Sequence, residues 1–543
     1  MKNCLLILLG VVAVSLSACT ASLQTELEGV NKTQFQEKKI PLFIEKENAD
    51  VFQITLDVEQ GISYDLKKIS LVLSEGSQTD FVKSADVSWM AASAQDTVET
   101  TFGAATLMAD QEIVVEGKGK LESGSHTLAF NLQVKEEAVL THRFSVEQVI
   151  LSLNGKRLAI DVKDPFQYRP AKVVRAAGQD QVDTYRIPGL VTTANGTLIS
   201  VYDIRYNNSK DLQEDIDVGM SRSTDGGQTW EPMQVIMDMG EWGGRPQKLN
   251  GIGDPCVLYD NETQTLWVAA LWMSGVTEKD MLWWASKPGM KPEETGQFIL
   301  VKSTDDGLTW SEPINVTEQI KDPAWQLLLQ GPGRGICLKD GTLVFPAQFK
   351  ADIGEKSLDG GQFTCHSTIV YSKDQGKTWH IGTGAKSNTT EAQVVELSDG
   401  SLMLNMRDDR NRKDKSETNG RAVAVTNDLG KTWELHPTSN SALPESNCMA
   451  SIIATNLNLD GESKQVLFFS NPNNKQHRTN MTIKASLDEG MTWPEACQLE
   501  LNEAGGFGYS CMTMVDENTV GILYEGVKEL YFQSIPVSDI IPQ

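Results

Sequence analysis

Basic residues are in short supply: 48 Lys and Arg face 73 Asp and Glu among 543 residues, a net charge of −25. That balance argues against a nucleic-acid partner, for which a basic footprint is expected. It also means that any anionic ligand must be captured by a local cluster of cations against the overall field. Past residue 18 no apolar run is long enough to span a bilayer. Beyond Cys4 and Cys19 the cysteines are Cys256, Cys337, Cys365, Cys448, Cys497 and Cys511, scattered without C-x-x-C spacing. A structural zinc site is therefore not expected, and disulfide pairing cannot be assigned from spacing.

The one long apolar run lies at the start. Lys2 precedes Leu5 to Leu16, and Leu16-Ser17-Ala18 leads into Cys19. This resembles a bacterial lipoprotein signal, residues 1–18, whose removal leaves Cys19 as the lipid-bearing terminus. An ordinary signal peptide or a short helix is the plainer reading. Thr20 after the cysteine resembles the pattern that passes to the outer membrane. The resemblance implies export and a membrane partner through the lipid, on the periplasmic or outer side.

Residues 19–45 are polar and read as a tether. From Val51 strands appear, with Phe52, Ile54, Leu56 and Val58 alternating with polar residues, and Leu128, Phe130, Leu132 and Val134 doing the same later. Residues 46–163 are read as a small β-sandwich, followed by a linker at Asp164-Pro165 and Arg169-Pro170. Two roles stand open for it, a carbohydrate-binding module or a spacer, since no aromatic platform stands out beyond Trp89.

The rest of the chain repeats one phrase, Ser-x-Asp-x-Gly-x-Thr-Trp. It runs Ser223 to Trp230, Ser303 to Trp310, Ser372 to Trp379, Thr426 to Trp433 and Ser486 to Trp493. The Asp can accept N–H bonds across a turn, the Gly supplies positive φ, and the Trp has an apolar body to bury. Turns repeated around a fold do one job, so these aspartates read as scaffold rather than catalysts. Six apolar hairpins alternate with the phrase. The expectation is an all-β chain: a six-bladed β-propeller over residues 175–543 preceded by the sandwich, with the last blade lacking its Trp turn.

Propeller topology locates a site. The first strand of each blade runs down the axis, so the hairpin turns and the Trp turns share one face and ligands should meet the other. Before the first strands stand Arg186, Asp254, Arg334, Glu391, Asn447 and Tyr509; after the second stand Arg205, Lys350, Arg407, Arg478 and Glu525. Several Arg aimed at one place repel unless an anion or carboxylates compensate. A planar guanidinium suits a carboxylate ligand.

Those residues carry a family resemblance. Tyr185-Arg186-Ile187-Pro188 resembles the opening motif of the exo-α-sialidases, and the Trp phrase is similar to their Asp-box. Thr390-Glu391-Ala392-Gln393-Val394, Asn405-Met406-Arg407, His477-Arg478 and Gly508-Tyr509-Ser510 resemble later motifs in the same order, over roughly residues 175 to 530. The resemblance implies that Arg186, Arg407 and Arg478 grip a sialic-acid carboxylate. It also implies Tyr509 as nucleophile, Glu391 as its base, Asp211 as acid/base, Arg205 near the far hydroxyls and Asp254 toward the N-acyl side. Glu214, Asp215 and Asp217 share the acid's loop and remain alternatives to Asp211. The implied activity is retaining hydrolysis of terminal α-linked sialic acid from glycoproteins, glycolipids and oligosaccharides, without metal or organic cofactor. Transfer to another sugar or within the substrate, and a non-catalytic sialic-acid-binding propeller, are the alternatives.

Overall fold

Each copy of the Trp phrase folds as the same stapled turn. In the second, the Ser303 hydroxyl donates to Asp305 Oδ1 at 2.7 Å, and Thr309 N–H donates to that oxygen at 2.9 Å. The Gly307 N–H returns a bond to Ser303 Oγ at 2.9 Å, with Gly307 at φ 82°. Asp225, Asp374, Asp428 and Asp488 hold their turns with the same set of bonds. Every one of these carboxylates is spent on its own turn. The Trp rings wedge against neighbouring strands, Trp379 against Trp267 at 6.0 Å and Trp230 against Phe532 at 5.3 Å between centroids.

The structure, a computed structural model, describes residues 23–92, 97–107, 112–277 and 281–542. The proposed leader at residues 1–18 and Cys19 lie outside these residues. Six antiparallel sheets form a six-bladed propeller. Their innermost strands begin at Thr184, Ile252, Leu327, Thr389, Ser451 and Ser510, the third being interrupted before it resumes at Ile336–Cys337.

The propeller starts earlier than residue 175. Its last blade has three strands from the chain's end, Ser510–Asp516, Thr519–Glu525 and Leu530–Pro536, and takes its fourth from Pro170–Arg175. This blade thereby joins the two ends of the propeller's stretch of chain and closes the ring. The strand Leu42–Phe43 pairs with the outer side of Pro170–Arg175.

The N-terminal domain is one ten-stranded sheet. It folds around a single apolar core that includes Phe52, Leu71, Val87, Val115, Phe130 and Leu151. Residues 23–45, expected within a tether, instead contribute the strands Leu23–Gln24, Val30–Glu37 and Leu42–Phe43. Val30 and Phe35 are the apolar side chains this second strand packs against the core, which is too sparse an alternation to read as a strand. Phe35 stacks on Phe52 at 6.1 Å.

Trp89 is not a sugar platform. It is buried beneath Gly119 and donates to His126 Nδ1 at 3.3 Å. Among the described residues of this domain, the exposed large apolar side chains are Leu23 and Val139. The domain docks firmly on the propeller: Phe43 meets Tyr531 at 4.5 Å, Lys46 pairs with Glu529, and Arg169 and Arg143 share Asp539 at 2.8 and 3.1 Å.

Candidate active site

The inner strands begin irregularly, and the irregularities aim side chains at the axis. Register shifts interrupt the ladders between Arg186 and Gly189, Gly253 and Cys256, and Thr389 and Ala392. Ile187, Asp254 and Asn447 adopt positive φ of 58°, 57° and 59°, and Gly508 precedes Tyr509 at 87°. For a β-branched residue such as Ile187 that conformation costs about 1–3 kcal/mol. The surroundings enforce it, because Ile187 N–H donates to the buried Glu525 carboxylate at 2.9 Å. Bulges of this kind re-aim side chains at the rims of sheets.

At the focus stands Tyr509. Its hydroxyl donates a short bond to Glu391 Oε1, and Arg407 Nη1 donates to both Glu391 Oε2, at 2.6 Å, and the Tyr509 oxygen, at 3.1 Å. The Arg186 and Arg478 guanidinium groups lie 5.2 and 5.6 Å from the Tyr509 ring centre. The three arginines, expected from separate blades, therefore surround one phenol.

Each guanidinium is fixed differently. Arg186 Nε donates to Glu525 Oε1 at 3.1 Å; Arg407 Nη2 donates to Asn447 Oδ1 at 3.1 Å. Arg478 is held by the carbonyls of Phe507 and Asn447, at 2.8 and 3.2 Å, and has no carboxylate partner among the described residues. Arg205 is buried and committed to Asp203, Asp211 and the Ser209 carbonyl.

Asp211 bridges Arg205 and Arg186, at 2.7 and 3.4 Å. Although 60% of its side-chain surface opens into the pocket, it sits deep in the protein's mass. Burial is the largest influence and pushes its pKa up, but Arg205 and Arg186 outweigh it, leaving the carboxyl below the usual range. Asp254 goes the other way. Burial, then the negative Asp203 and Asp211, hold its pKa well above the ordinary value. Burial first, then Glu391, likewise keeps the Tyr509 phenol protonated, against the pull of the three arginines.

A cavity of about 320 Å³ opens above Tyr509, and its lining includes Asp211, Asp254, Glu391 and Arg407. One wall is aromatic. Trp283 and Trp284 stand on the short helix Leu282–Ala285, whose Leu282 N–H donates to the Leu212 carbonyl beside Asp211. Lys350 does not join the cationic cluster: it lies 4.2 and 4.6 Å from these two ring centres and pairs with Asp359 at 3.3 Å. Glu214, Asp215 and Asp217 do not line the cavity, and Asp217 is buried against the Tyr206 hydroxyl at 3.0 Å.

Arg334 departs from its expected place. It lines a different cavity, on the opposite face of the ring. Residues that the sequence reading left without a role are now placed. Glu525 accepts from Arg186, Ile187 and the Tyr509 N–H, the last at 2.8 Å. Asp203 anchors Arg205 and accepts the Asp254 N–H at 2.7 Å. The position of Glu525 at the end of a second strand was a signal; its partners Arg186 and Ile187, at the far end of the propeller's sequence, were not. The six described cysteines are free thiols.

A phenol backed by a carboxylate and ringed by three guanidinium groups, on the open face of a propeller, defines an enzyme that processes anionic glycosides. The comparisons with known proteins agree. Residues 196–522 match the BNR repeat-like domain. The chain is 44% identical over 534 residues to a sialidase of Bacteroides fragilis, covering 93% of this chain and 95% of that protein. It is 32% identical over 352 residues to a sialidase of Micromonospora viridifaciens, covering 64% of this chain and 50% of that protein. Among solved structures it is similar to the Hadza microbial sialidase Hz136, with a TM-score of 0.80 at 39% identity over 93% of this chain and all of that one. This chain belongs to the bacterial sialidase family.

Proposed function

We propose that this chain is a retaining exo-α-sialidase that hydrolyses terminal α-linked sialic acids of glycoproteins, glycolipids and oligosaccharides through a tyrosyl intermediate. The observation that carries the reading is the Tyr509–Glu391 hydrogen bond within the arginine ring. The substrate carboxylate enters between Arg186, Arg407 and Arg478. A carboxylate nucleophile would be repelled by that anion next to the reacting carbon; a neutral phenol is not. An unassisted phenol has a reference pKa of about 10 and is a weak nucleophile. Glu391 takes its proton as the Tyr509 oxygen bonds to the anomeric carbon. With the substrate carboxylate on Arg186 the hold on Asp211 loosens, and Asp211 takes up a proton from solvent and gives it to the departing glycosidic oxygen. Asp211 then takes one from water as water displaces Tyr509, and Glu391 returns the proton to the phenol. Two inversions give net retention, the tyrosine-nucleophile variant of the two-carboxylate scheme. Arg205 supports the ring's far hydroxyls, and Asp254 serves the N-acyl side.

The test is release of a fluorescent phenol from its α-sialoside, with the sugar followed by proton NMR. The α-anomer should appear first, and Tyr509→Phe should lose most activity. A β-anomer as first product overturns retention. A 2,7-anhydro product changes the reaction to intramolecular transfer, and binding without turnover makes the chain a lectin.

We also propose that the chain is exported and anchored to the outer membrane by lipid on Cys19, the support being Leu16-Ser17-Ala18-Cys19 after an apolar run. Labelled fatty acid should enter the intact chain and not Cys19→Ala; equal labelling would refute the anchor.

A further inference from the structure

The aromatic wall of the active-site cavity has no part in the chemistry described so far. Tyr509, Glu391, Asp211 and the arginines account for the sialic acid and its bond, and none of them stands on the helix Leu282–Ala285. Yet at this wall Trp284 and its neighbour Met281 keep 48% and 47% of their surface exposed. A large apolar ring left open to water inside a binding cavity is an unused contact surface.

The ring is held in place. The Lys350 side chain is only 1% exposed, and its ammonium covers one face of each indole, 4.2 Å from the Trp283 ring centre and 4.6 Å from that of Trp284. Such a contact gains strength away from water. The buried Asp359 pins the arrangement, accepting from Lys350 Nζ at 3.3 Å and from the Trp283 indole N–H at 3.1 Å. Gly361 completes the seat, because a Cβ there would come within 3.0 Å of Trp284 Cζ3. Since Lys350 is sealed from solvent, the exposed part of Trp284 is the side turned away from it.

The place of that free side indicates what meets it. The Leu282 N–H donates to the Leu212 carbonyl at 2.7 Å, so the helix hangs from the residue next to Asp211. In the proposed reaction Asp211 reaches the glycosidic oxygen, and the sugar bonded to that oxygen therefore stands on the Asp211 side of the cavity. Arg205 and Asp254 already serve the hydroxyls and the N-acyl group of the sialic acid. What remains for Trp284 is the sugar being released. A pyranose has a face of axial C–H bonds, and such a face buries well on an indole.

We infer that Trp284 is the platform for the sugar bonded to sialic acid, and that it sets which glycans are cleaved well. The inference rests on the sialidase reading above and extends it to the leaving side of the bond. A substrate with a sugar ring there gains affinity from the indole; one with only a methyl group does not. The contact is the same before and during bond breaking, so the preference is carried in KM more than in kcat.

The test compares sialyllactose with methyl α-sialoside, whose leaving group is too small to cover the ring. In Trp284→Ala the ratio of kcat/KM for the first to that for the second should fall about tenfold, mostly through KM. Trp284→Phe, which keeps a smaller face and serves should the first variant fail to fold, should lose less. Saturation-transfer NMR on the Tyr509→Phe chain reads the contact without turnover. Saturation should reach the galactose protons of sialyllactose, and adding Trp284→Ala should remove it there while the sialic-acid protons keep theirs. An unchanged ratio, an equal loss on both substrates, or galactose saturation that survives Trp284→Ala would overturn the inference. Failure of the unaltered chain to cleave methyl α-sialoside would instead overturn the sialidase reading, and this inference with it.

Discussion

Glu525 offers the sharpest test of how this active site is held. Its carboxylate is buried and accepts three N–H groups: Arg186 Nε at 3.1 Å, Ile187 N at 2.9 Å and Tyr509 N at 2.8 Å. Removing it in Glu525→Ala leaves three donors buried. At about 1–3 kcal/mol for each unsatisfied group, the loss is on the order of 3–9 kcal/mol. That is a large part of an ordinary stability of about 5–15 kcal/mol. Glu525→Gln is the milder probe: the amide presents an N–H to one of the donors it must accept from, at about 1.5–3 kcal/mol for the lost charged bond. Catalysis should suffer separately, because a nucleophile misplaced by about 1 Å loses about a hundredfold in rate. Urea unfolding and kcat/KM on a fluorogenic sialoside measure the two effects. An unchanged unfolding midpoint together with unchanged kcat in Glu525→Gln would refute the bracing role.

Other consequences follow from the electrostatics and the scaffold. Asp211 is held below its usual pKa by Arg205 and Arg186. A ligand carboxylate that occupies Arg186 weakens that hold and adds negative charge, so sialic acid should bind with proton uptake between about pH 4 and 7. Calorimetry in buffers of different ionisation heat reads the uptake; Asp211→Asn should abolish it, and proton release would contradict the reasoning. Glu37, at the seam between the domains, has its pKa pushed up to about 7 by burial. The folded chain therefore holds that proton more tightly than the unfolded one, and stability should fall as pH rises from the ordinary carboxyl range through about 7. Glu37→Gln should flatten that part of the unfolding profile, and an unchanged slope would count against it. Asp305→Ala should cost about 1 kcal/mol of stability and leave kcat unaltered; a lost kcat would give the repeated turns a role beyond scaffold.

What sequence disclosed here depended on whether the chemistry was local. A stapled turn such as Ser303 to Trp310 is complete within eight residues, so its repetition announced the propeller and its strand directions predicted the open face. Tyr509, Glu391 and the three arginines were legible as motif residues, and the ring topology explains why motifs so far apart meet. Arg334 reads as a strand start in the sequence, but the inner strand of its blade begins at Leu327, so Arg334 lies well along it and lines the cavity on the other face. The strand Val30–Glu37 was hidden because its outer face is polar and its inner face carries little apolar side chain. The bracing by Glu525 and Asp203 was invisible for a different reason: it depends on which backbone N–H groups are left over at bulges, and no residue type advertises that.

The fourth strand of the last blade has a bearing on how this protein can be cut and made. A catalytic fragment begun at residue 175 would keep only the last residue of Pro170–Arg175 and leave Leu530–Pro536 as a bare edge, open to pairing with another molecule. During synthesis the same segment emerges hundreds of residues before its partner and must wait for it. The clasp makes the two ends of the propeller interdependent, so a protease cut just after Arg175 should loosen the blade that bears Tyr509, at the far end of the chain.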